Sequence, residues 1–130
     1  MKITVSSIQS KNDLTVIYCI TEKGMIKGIW KSDEAPVLLK KYFAELSYIE
    51  FDKQITADNE KNICSKLQNN DNIVCFHGLC EDMDDEVYYI RFADDWLDMI
   101  EIPNKNTAIH KGDHIFFSAS YEKILIYPYD

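Results

Sequence analysis

The chain has 130 residues, a hydrophobic fraction of 46% and a formal net charge of −8, from 14 basic and 22 acidic residues. This length suits one domain, and so high an apolar content excludes an intrinsically disordered chain. The acidic balance argues against DNA, RNA and anionic membranes as ligands, because all three are negatively charged. We therefore expect a single globular domain over residues 1–130 that binds neither nucleic acid nor membrane.

The beginning of the sequence predicts a cytoplasmic protein. Residues 1–7 pass directly into alternating, strand-like sequence and lack the apolar core of a signal peptide, which is roughly 7–15 residues long. No stretch reaches the roughly 18–20 apolar residues that span a bilayer. In that compartment we expect free, partly buried thiols at all four cysteines, Cys19, Cys64, Cys75 and Cys80.

The first thirty residues predict three strands. Residues 2–8 and 14–21 alternate apolar and polar side chains, as half-buried strands do. Gly24 can supply the positive φ of a turn, after which residues 25–30 return as a third strand.

The next two segments have helical features. Ser32 or Asp33 can cap a helix, and Pro36 is tolerated in its first turn. Apolar side chains then recur three or four residues apart, at Leu39, Tyr42, Phe43 and Leu46. A short strand at residues 48–51 and a second helix from about residue 56 to residue 67 complete this half.

The second half predicts a sheet with one more helix. Residues 72–79 and 86–92 are expected to form a hairpin around a turn at residues 81–85. Residues 94–100 predict a short helix whose first turn is acidic, and residues 114–118 and 123–129 predict a terminal hairpin. The predicted fold class is therefore α+β: an antiparallel or mixed β-sheet packed by two or three helices.

The acidic residues are concentrated between residues 81 and 101. This window contains nine acids and one base, Arg91, so it carries the whole net charge of the protein. Aromatic residue types that are enriched at interface hot spots lie among the acids, and a carboxylate-dense surface accelerates encounter with a basic partner. The predicted partner-binding residues are Asp82, Asp84, Asp85, Glu86, Tyr88, Tyr89, Asp94, Asp95, Trp96 and Asp98. The alternative is a solvated acidic loop and helix start, with the aromatic side chains facing inward.

Two possible metal sites fail on spacing. A calcium-binding EF-hand loop that begins at Asp82 requires Gly at its sixth position and Glu at its twelfth, and the sequence has Val87 and Ala93 there. Cys75 and Cys80 lie further apart than the paired ligands of structural zinc sites. We predict no metal and no other cofactor.

Catalytic signatures are also missing, so we predict no catalytic residue and a protein that is not an enzyme. Ser118 and Ser120 lack a nucleophile elbow, and no Gly-rich phosphate loop is present. A Cys/His pair can still meet in the fold. A small ligand-binding or hydrolytic domain therefore remains an alternative, and it would have a concave pocket lined by histidines.

The acidic-aromatic run at residues 94–98 and the aromatic-rich strand at residues 123–130 resemble the immunity proteins of bacterial toxin systems. These are found in contact-dependent growth inhibition and in related polymorphic toxins. Such proteins are small, cytosolic, α+β and often acidic, and each neutralises one cognate toxin domain. The resemblance implies stoichiometric inhibition of a basic toxin, above all a nuclease, because nuclease grooves bind phosphate backbones. The other alternative is an acidic regulatory or phage-derived protein-interaction domain that binds several basic targets.

Overall fold

The computed structural model of the chain describes residues 1–49, 55–58, 61–101 and 109–129. Within these ranges the chain forms eleven β-strands and one 3-10 turn at Tyr121–Lys123. The strands are β1 (Lys2–Lys11), β2 (Leu14–Thr21), β3 (Gly24–Trp30), β4 (Lys41–Tyr48), β5 (Thr56–Ala57), β6 (Cys64–Gln68), β7 (Ile73–Asp84), β8 (Val87–Ala93), β9 (Trp96–Glu101), β10 (His114–Ser120) and β11 (Ile124–Tyr129).

The predicted α+β class is wrong, because the described part of the chain is almost entirely β. The segment that was predicted as the first helix is a loop followed by β4, in which exposure alternates with period two: Ala44 is buried, whereas Phe43 and Glu45 are exposed. Leu39 has a φ of 65°, a left-handed conformation that an α-helix does not accommodate. The predicted strand at residues 48–51 reduces to the end of β4, and residues 50–51 lie outside the described ranges.

The other two predicted helices are also strands. Residues 56–67 contain β5 and most of β6, and residues 59–60 lie outside the described ranges. Residues 94–100 form a turn at Asp94 and Asp95, followed by β9. Buried and exposed positions alternate along β9, so its acidic residues do not lie at the start of a helix.

Several predicted strands are confirmed, but one pairing is wrong. The first three strands are present, and β7 pairs with β8 as a hairpin whose turn lies at residues 85–86. The two terminal strands exist, but they do not pair with each other. Instead, β10 pairs with β7 and β5, and β11 pairs with β4 and β3.

Five strands close on themselves as a ring. Antiparallel pairing joins β4 to β1, β1 to β2 and β2 to β3. The ring is completed by β11, which lies antiparallel to β4 and parallel to β3. The remaining strands assemble around β7, which pairs with β6, β8 and β10, while β9 adds to β8.

The two groups of strands meet at Gly24, whose Cα is in register with that of Ser65 in the parallel pairing of β3 with β6. Both groups contribute to one hydrophobic core. Aromatic side chains form its centre: Phe76 stacks on Phe117 at 4.8 Å between ring centroids, and Phe92 stacks on Trp96 at 4.4 Å. This continuous core fixes the inner faces of β7, β8 and β9, and therefore determines which of their residues point outward.

The cysteine prediction is confirmed. All four cysteines are free thiols, and three of them are buried while Cys64 is half-buried. Among the described residues there is no helix long and apolar enough to cross a membrane.

Candidate functional site

The hairpin of β8 and β9 separates the acidic window into two clusters. Asp84, Asp85 and Glu86 lie where β7 turns into β8, whereas Asp94 and Asp95 lie where β8 turns into β9. Because β8 has seven residues and a strand rises about 3.3 Å per residue, the clusters lie roughly 20 Å apart. Acidic residues that share one short window of the sequence therefore belong to two different surfaces.

The first cluster is the stronger concentration of charge. Together with exposed Asp82 and Glu101 it forms a surface that we name the acidic tip. All its carboxylates are exposed, and none is in an ion pair with another described residue. Glu101 joins it because its Cα is in register with Val87, the first residue after the turn. The acidic tip consists of Asp82, Asp84, Asp85, Glu86 and Glu101.

An apolar strip lies beside the acidic tip on the outward face of β8 and β9. Half-buried Tyr89 is paired across the strands with Met99, which is 69% exposed, and Leu97 is 38% exposed. Arg91 lies on the same face, and its guanidinium donates to both carboxylate oxygens of Glu81 at 3.0 and 3.1 Å. This bidentate pair neutralises the only cation of the acidic window.

Leu97, Met99 and Glu101 lie on this surface although the predicted contact set does not include them, and Glu101 is predicted only as one of the nine acids of the window. A predicted helix at residues 94–100 distributes side chains around an axis, whereas a strand places alternate residues on one face. The alternation in Trp96-Leu97-Asp98-Met99-Ile100-Glu101 was the available signal, and a polar residue at one of the inward positions concealed it.

Three predicted contact residues are buried. Tyr88 is fully buried, Trp96 is 2% exposed and Asp98 is 7% exposed. Side chains with so little exposed surface cannot contact a partner while the core stays intact. They support the surface from below, so we leave them out of the contact set.

Asp98 has an internal hydrogen-bonding role. Its Oδ2 accepts a hydrogen bond from the hydroxyl of Tyr48 at 2.6 Å, and its Oδ1 accepts one from Nε1 of Trp96 at 3.2 Å. Burial raises the pKa of this carboxyl to about 6, although the two hydrogen bonds oppose the rise.

The second acidic cluster borders a groove between β9 and β4. Asp95 is exposed, and its Oδ2 accepts a hydrogen bond from the backbone N–H of Lys2 at 3.1 Å. Asp94 is also exposed, and its carbonyl oxygen accepts one from Arg91 at 3.1 Å. The groove has a volume of about 340 Å³, and Glu45 on β4 provides a further carboxylate to its lining.

A third group of polar side chains lies on the face of β7 that points away from the core. His77 Nδ1 lies 2.6 Å from Asp58 Oδ2, and both side chains are about nine-tenths buried. The Nε2 atom of His77 is buried and has no hydrogen-bond partner among the described residues. Cys64 lies opposite His77 on β6.

This third group has components of a nucleophile and base pair, but it is not assembled as one. No hydrogen bond joins Cys64 to the histidine within the described residues, because Nε2 of His77 has no partner there and Nδ1 lies against Asp58. Among the same residues, no group of three His, Cys, Asp or Glu side chains is placed to hold a metal ion. The acidic tip and the neighbouring strip therefore form the better-supported site.

Comparisons of the chain with protein-family models, with curated proteins and with solved structures found no match. Exposure, charge and strand geometry at the acidic tip and the apolar strip are therefore the features that bear on function.

Proposed function

We propose that this protein is a cytoplasmic immunity protein that binds and neutralises a basic bacterial toxin domain of the nuclease class. The observation that carries the proposal is the acidic tip, a group of exposed carboxylates without cationic partners among the described residues. The all-β fold removes the architectural part of the resemblance to immunity proteins, so the argument rests on charge and exposure.

The carboxylates of the acidic tip favour a basic partner for a physical reason. Like charges held close together repel, and a partner that supplies cations relieves this repulsion on binding. The binding groove of a nuclease is basic because it holds phosphates, so the tip can compete for it or for a surface beside it. Long-range attraction of this kind increases the association rate and weakens as salt is added.

The apolar strip supplies apolar surface for burial, which the charges of the acidic tip do not provide. Tyr89, Leu97 and Met99 offer surface that a partner can remove from water, and aromatic side chains and methionine are enriched in protein interfaces. We expect the strip to limit dissociation, whereas the acidic tip accelerates association. No cofactor, metal or catalytic residue is required for this function.

The test compares two triple charge reversals in the full chain. One variant carries Asp82→Lys, Asp84→Lys and Glu86→Lys in the acidic tip. The matched control carries Glu22→Lys, Asp33→Lys and Glu34→Lys, which changes the net charge equally at exposed positions in the connections between strands of the five-stranded ring. Circular dichroism and urea unfolding verify that both variants remain folded.

Each tagged protein is used for capture from the bacterium that encodes it, at low and then at high salt. Support requires one basic protein at about equal stoichiometry that is toxic when expressed alone and is neutralised by co-expression. The tip variant should then bind it at least about a hundredfold more weakly, and the control should bind normally. Unchanged affinity in the tip variant would reject the acidic tip as the interface, and capture of several DNA-binding proteins would contradict a single cognate toxin.

A further inference from the structure

The first observation is that β9 is an edge strand within the described residues. It pairs with β8 on one side and with no strand on the other. No residue from Trp96 to Glu101 makes a backbone hydrogen bond to another described segment outside this ladder. An edge of this kind presents unpaired N–H and C=O groups to which a further strand can add.

The second observation is that this edge faces the groove bounded on its other side by β4. Residues 44–46 form the opposite wall, and residues 96–99 form the near wall. A volume of about 340 Å³ accommodates a short length of extended peptide. An added strand would thus have a wall on each side and would not lie on an open surface.

The third observation is the charge of the lining. Glu45, Asp94 and Asp95 are exposed carboxylates in this lining, which also holds two cations. Arg91 is already bound to Glu81, and the N-terminal ammonium of Met1 donates to the carbonyl oxygen of Ala44 at 3.1 Å, so the exposed carboxylates are in excess. An extended segment with lysine or arginine at alternate positions would direct every second side chain to the same face. The groove is therefore complementary to a basic strand.

We propose that an extended, lysine- or arginine-rich segment of the partner adds to β9 as an extra strand and occupies the groove between β9 and β4. This deepens the proposed function and rests on it, because it assigns a binding mode to the same basic partner. Main-chain hydrogen bonds to β9 would supply affinity, and the carboxylates of Glu45, Asp94 and Asp95 would select for positive charge.

A second copy of this chain is a poorer occupant of the groove. It would bring the same acidic residues and a net charge of −8 to a groove that is already acidic. Charge repulsion therefore disfavours a second copy of the chain in the groove and favours a basic segment.

The probes are two synthetic peptides that do not depend on identifying the partner. One is about nine residues long and alternates lysine with valine, and the other has the same sequence with every backbone amide methylated. Both carry the same charge, but only the first can donate ladder hydrogen bonds. Fluorescence anisotropy with the full chain at low salt should give binding at least about tenfold tighter for the unmethylated peptide.

Hydrogen exchange and charge removal locate the peptide. Amide exchange should slow across residues 96–101 when the unmethylated peptide binds. Glu45→Gln with Asp94→Asn should weaken peptide binding about tenfold, whereas Asp84→Asn with Glu86→Gln, an equal charge loss in the acidic tip, should change it less than about twofold.

Equal affinity for the two peptides, unchanged exchange along β9, or a stronger effect of the tip variant would overturn strand addition. Such a result would leave the toxin-capture test intact, because that test uses the acidic tip and the native partner. The converse outcome is that the capture experiment yields no toxic basic partner while the chain still binds the unmethylated peptide more tightly than the methylated one. That combination would reject the immunity function alone.

Discussion

The hydroxyl oxygen of Tyr48 lies 2.6 Å from Oδ2 of Asp98, and this short hydrogen bond joins the side chains of β4 and β9. Burial raises the pKa of Tyr48 well above its usual value, and the nearby Asp98 adds to the rise, so the hydroxyl remains a donor at neutral pH. The Asp98 carboxyl, which accepts this hydrogen bond, has a pKa raised to about 6. Together these shifts make the pair sensitive to pH.

Replacing Asp98 with asparagine should flatten the dependence of stability on pH. The pKa of this carboxyl is about 6 in the folded chain against a reference value of 3.8, so between these values the folded state holds a proton that the unfolded state has lost. The free energy of unfolding that this group contributes is fully present below about pH 4 and is lost as the pH rises through 6, by roughly 3 kcal/mol. The Asp98→Asn variant has no carboxyl to ionise at this position, so its free energy of unfolding should not fall in this pH range. The variant should therefore be at least as stable as the wild type at neutral pH.

The measurement is the urea midpoint of unfolding at about pH 4.5 and about pH 7.5. The matched control is Asp94→Asn, an exposed carboxyl at the adjoining turn, which should keep the wild-type difference between the two midpoints. An Asp98→Asn variant with an undiminished difference would show that other groups cause the dependence.

Removing the hydroxyl of Tyr48 should have a pH-dependent cost. Tyr48→Phe deprives a buried carboxylate of a donor, which costs about 1–3 kcal/mol of stability when Asp98 is ionised. Below about pH 5 the carboxyl is largely protonated, and the loss should be smaller because hydrogen bonds between neutral groups are weaker. Urea unfolding at the same two pH values tests this, and an equal loss at both would contradict a charge-assisted bond.

A methyl group at Gly24 should disrupt the connection between the two groups of strands. A Cβ at this position would lie 2.0 Å from the carbonyl oxygen of Ser65, and the φ of 134° is unfavourable for other residues. We expect Gly24→Ala to lower the free energy of unfolding by at least about 2 kcal/mol. The control is Gly112→Ala, where φ is 94° but no atom lies within 4 Å, so only backbone strain of about 1 kcal/mol applies. Equal losses in thermal or urea unfolding would mean that the close approach is not rigid.

Lys27 should contribute to stability as a buried cation. Its ammonium lies 3.9 Å from the ring centroid of Tyr121 and 4.8 Å from that of Tyr18, and it donates to the carbonyl oxygen of Asp71 at 3.0 Å. Lys27→Met keeps the length of the side chain and removes both interactions, so we expect a loss of about 2–3 kcal/mol. Lys40→Met is the control, because that ammonium lies over Tyr42 at 5.0 Å on an exposed residue and should matter much less. Similar urea midpoints for the two variants would indicate that Lys27 contributes only through its aliphatic stem.

Strands that alternate cleanly were predictable from the sequence, and strands whose apolar residues coincide with helical spacing were not. The alternation of residues 2–8 and 14–21 predicts β1 and β2, and the turn at Gly24 predicts β3, although burial along β3 does not alternate. In β4 the buried face carries Tyr42, Ala44, Leu46 and Tyr48, but the exposed Phe43 and the loop residue Leu39 complete a spurious helical stripe. Apolar residues on the surface therefore caused the error, since periodicity assumes that apolar side chains are inside.

The acidic surface was only partly predictable for a different reason. Composition identified the acidic window, and Asp82, Asp84, Asp85 and Glu86 are exposed together as expected. Proximity in sequence could not reveal that a seven-residue strand carries the next acids to the far end of a hairpin. Nor could composition identify a buried carboxyl such as Asp98, because its donor Tyr48 is fifty residues away.

The position of β11 in the ring has a consequence for how the chain folds during synthesis. The strands from β1 to β4 are made first, yet the ring stays open until residues 124–129 insert between β3 and β4. Contacts between segments so distant in the chain form slowly, because a long loop must be closed before they yield any stability. On the ribosome, the edges of β3 and β4 that pair with β11 would therefore stay unpaired until residues 124–129 have been translated. A chaperone would protect the chain most during this interval.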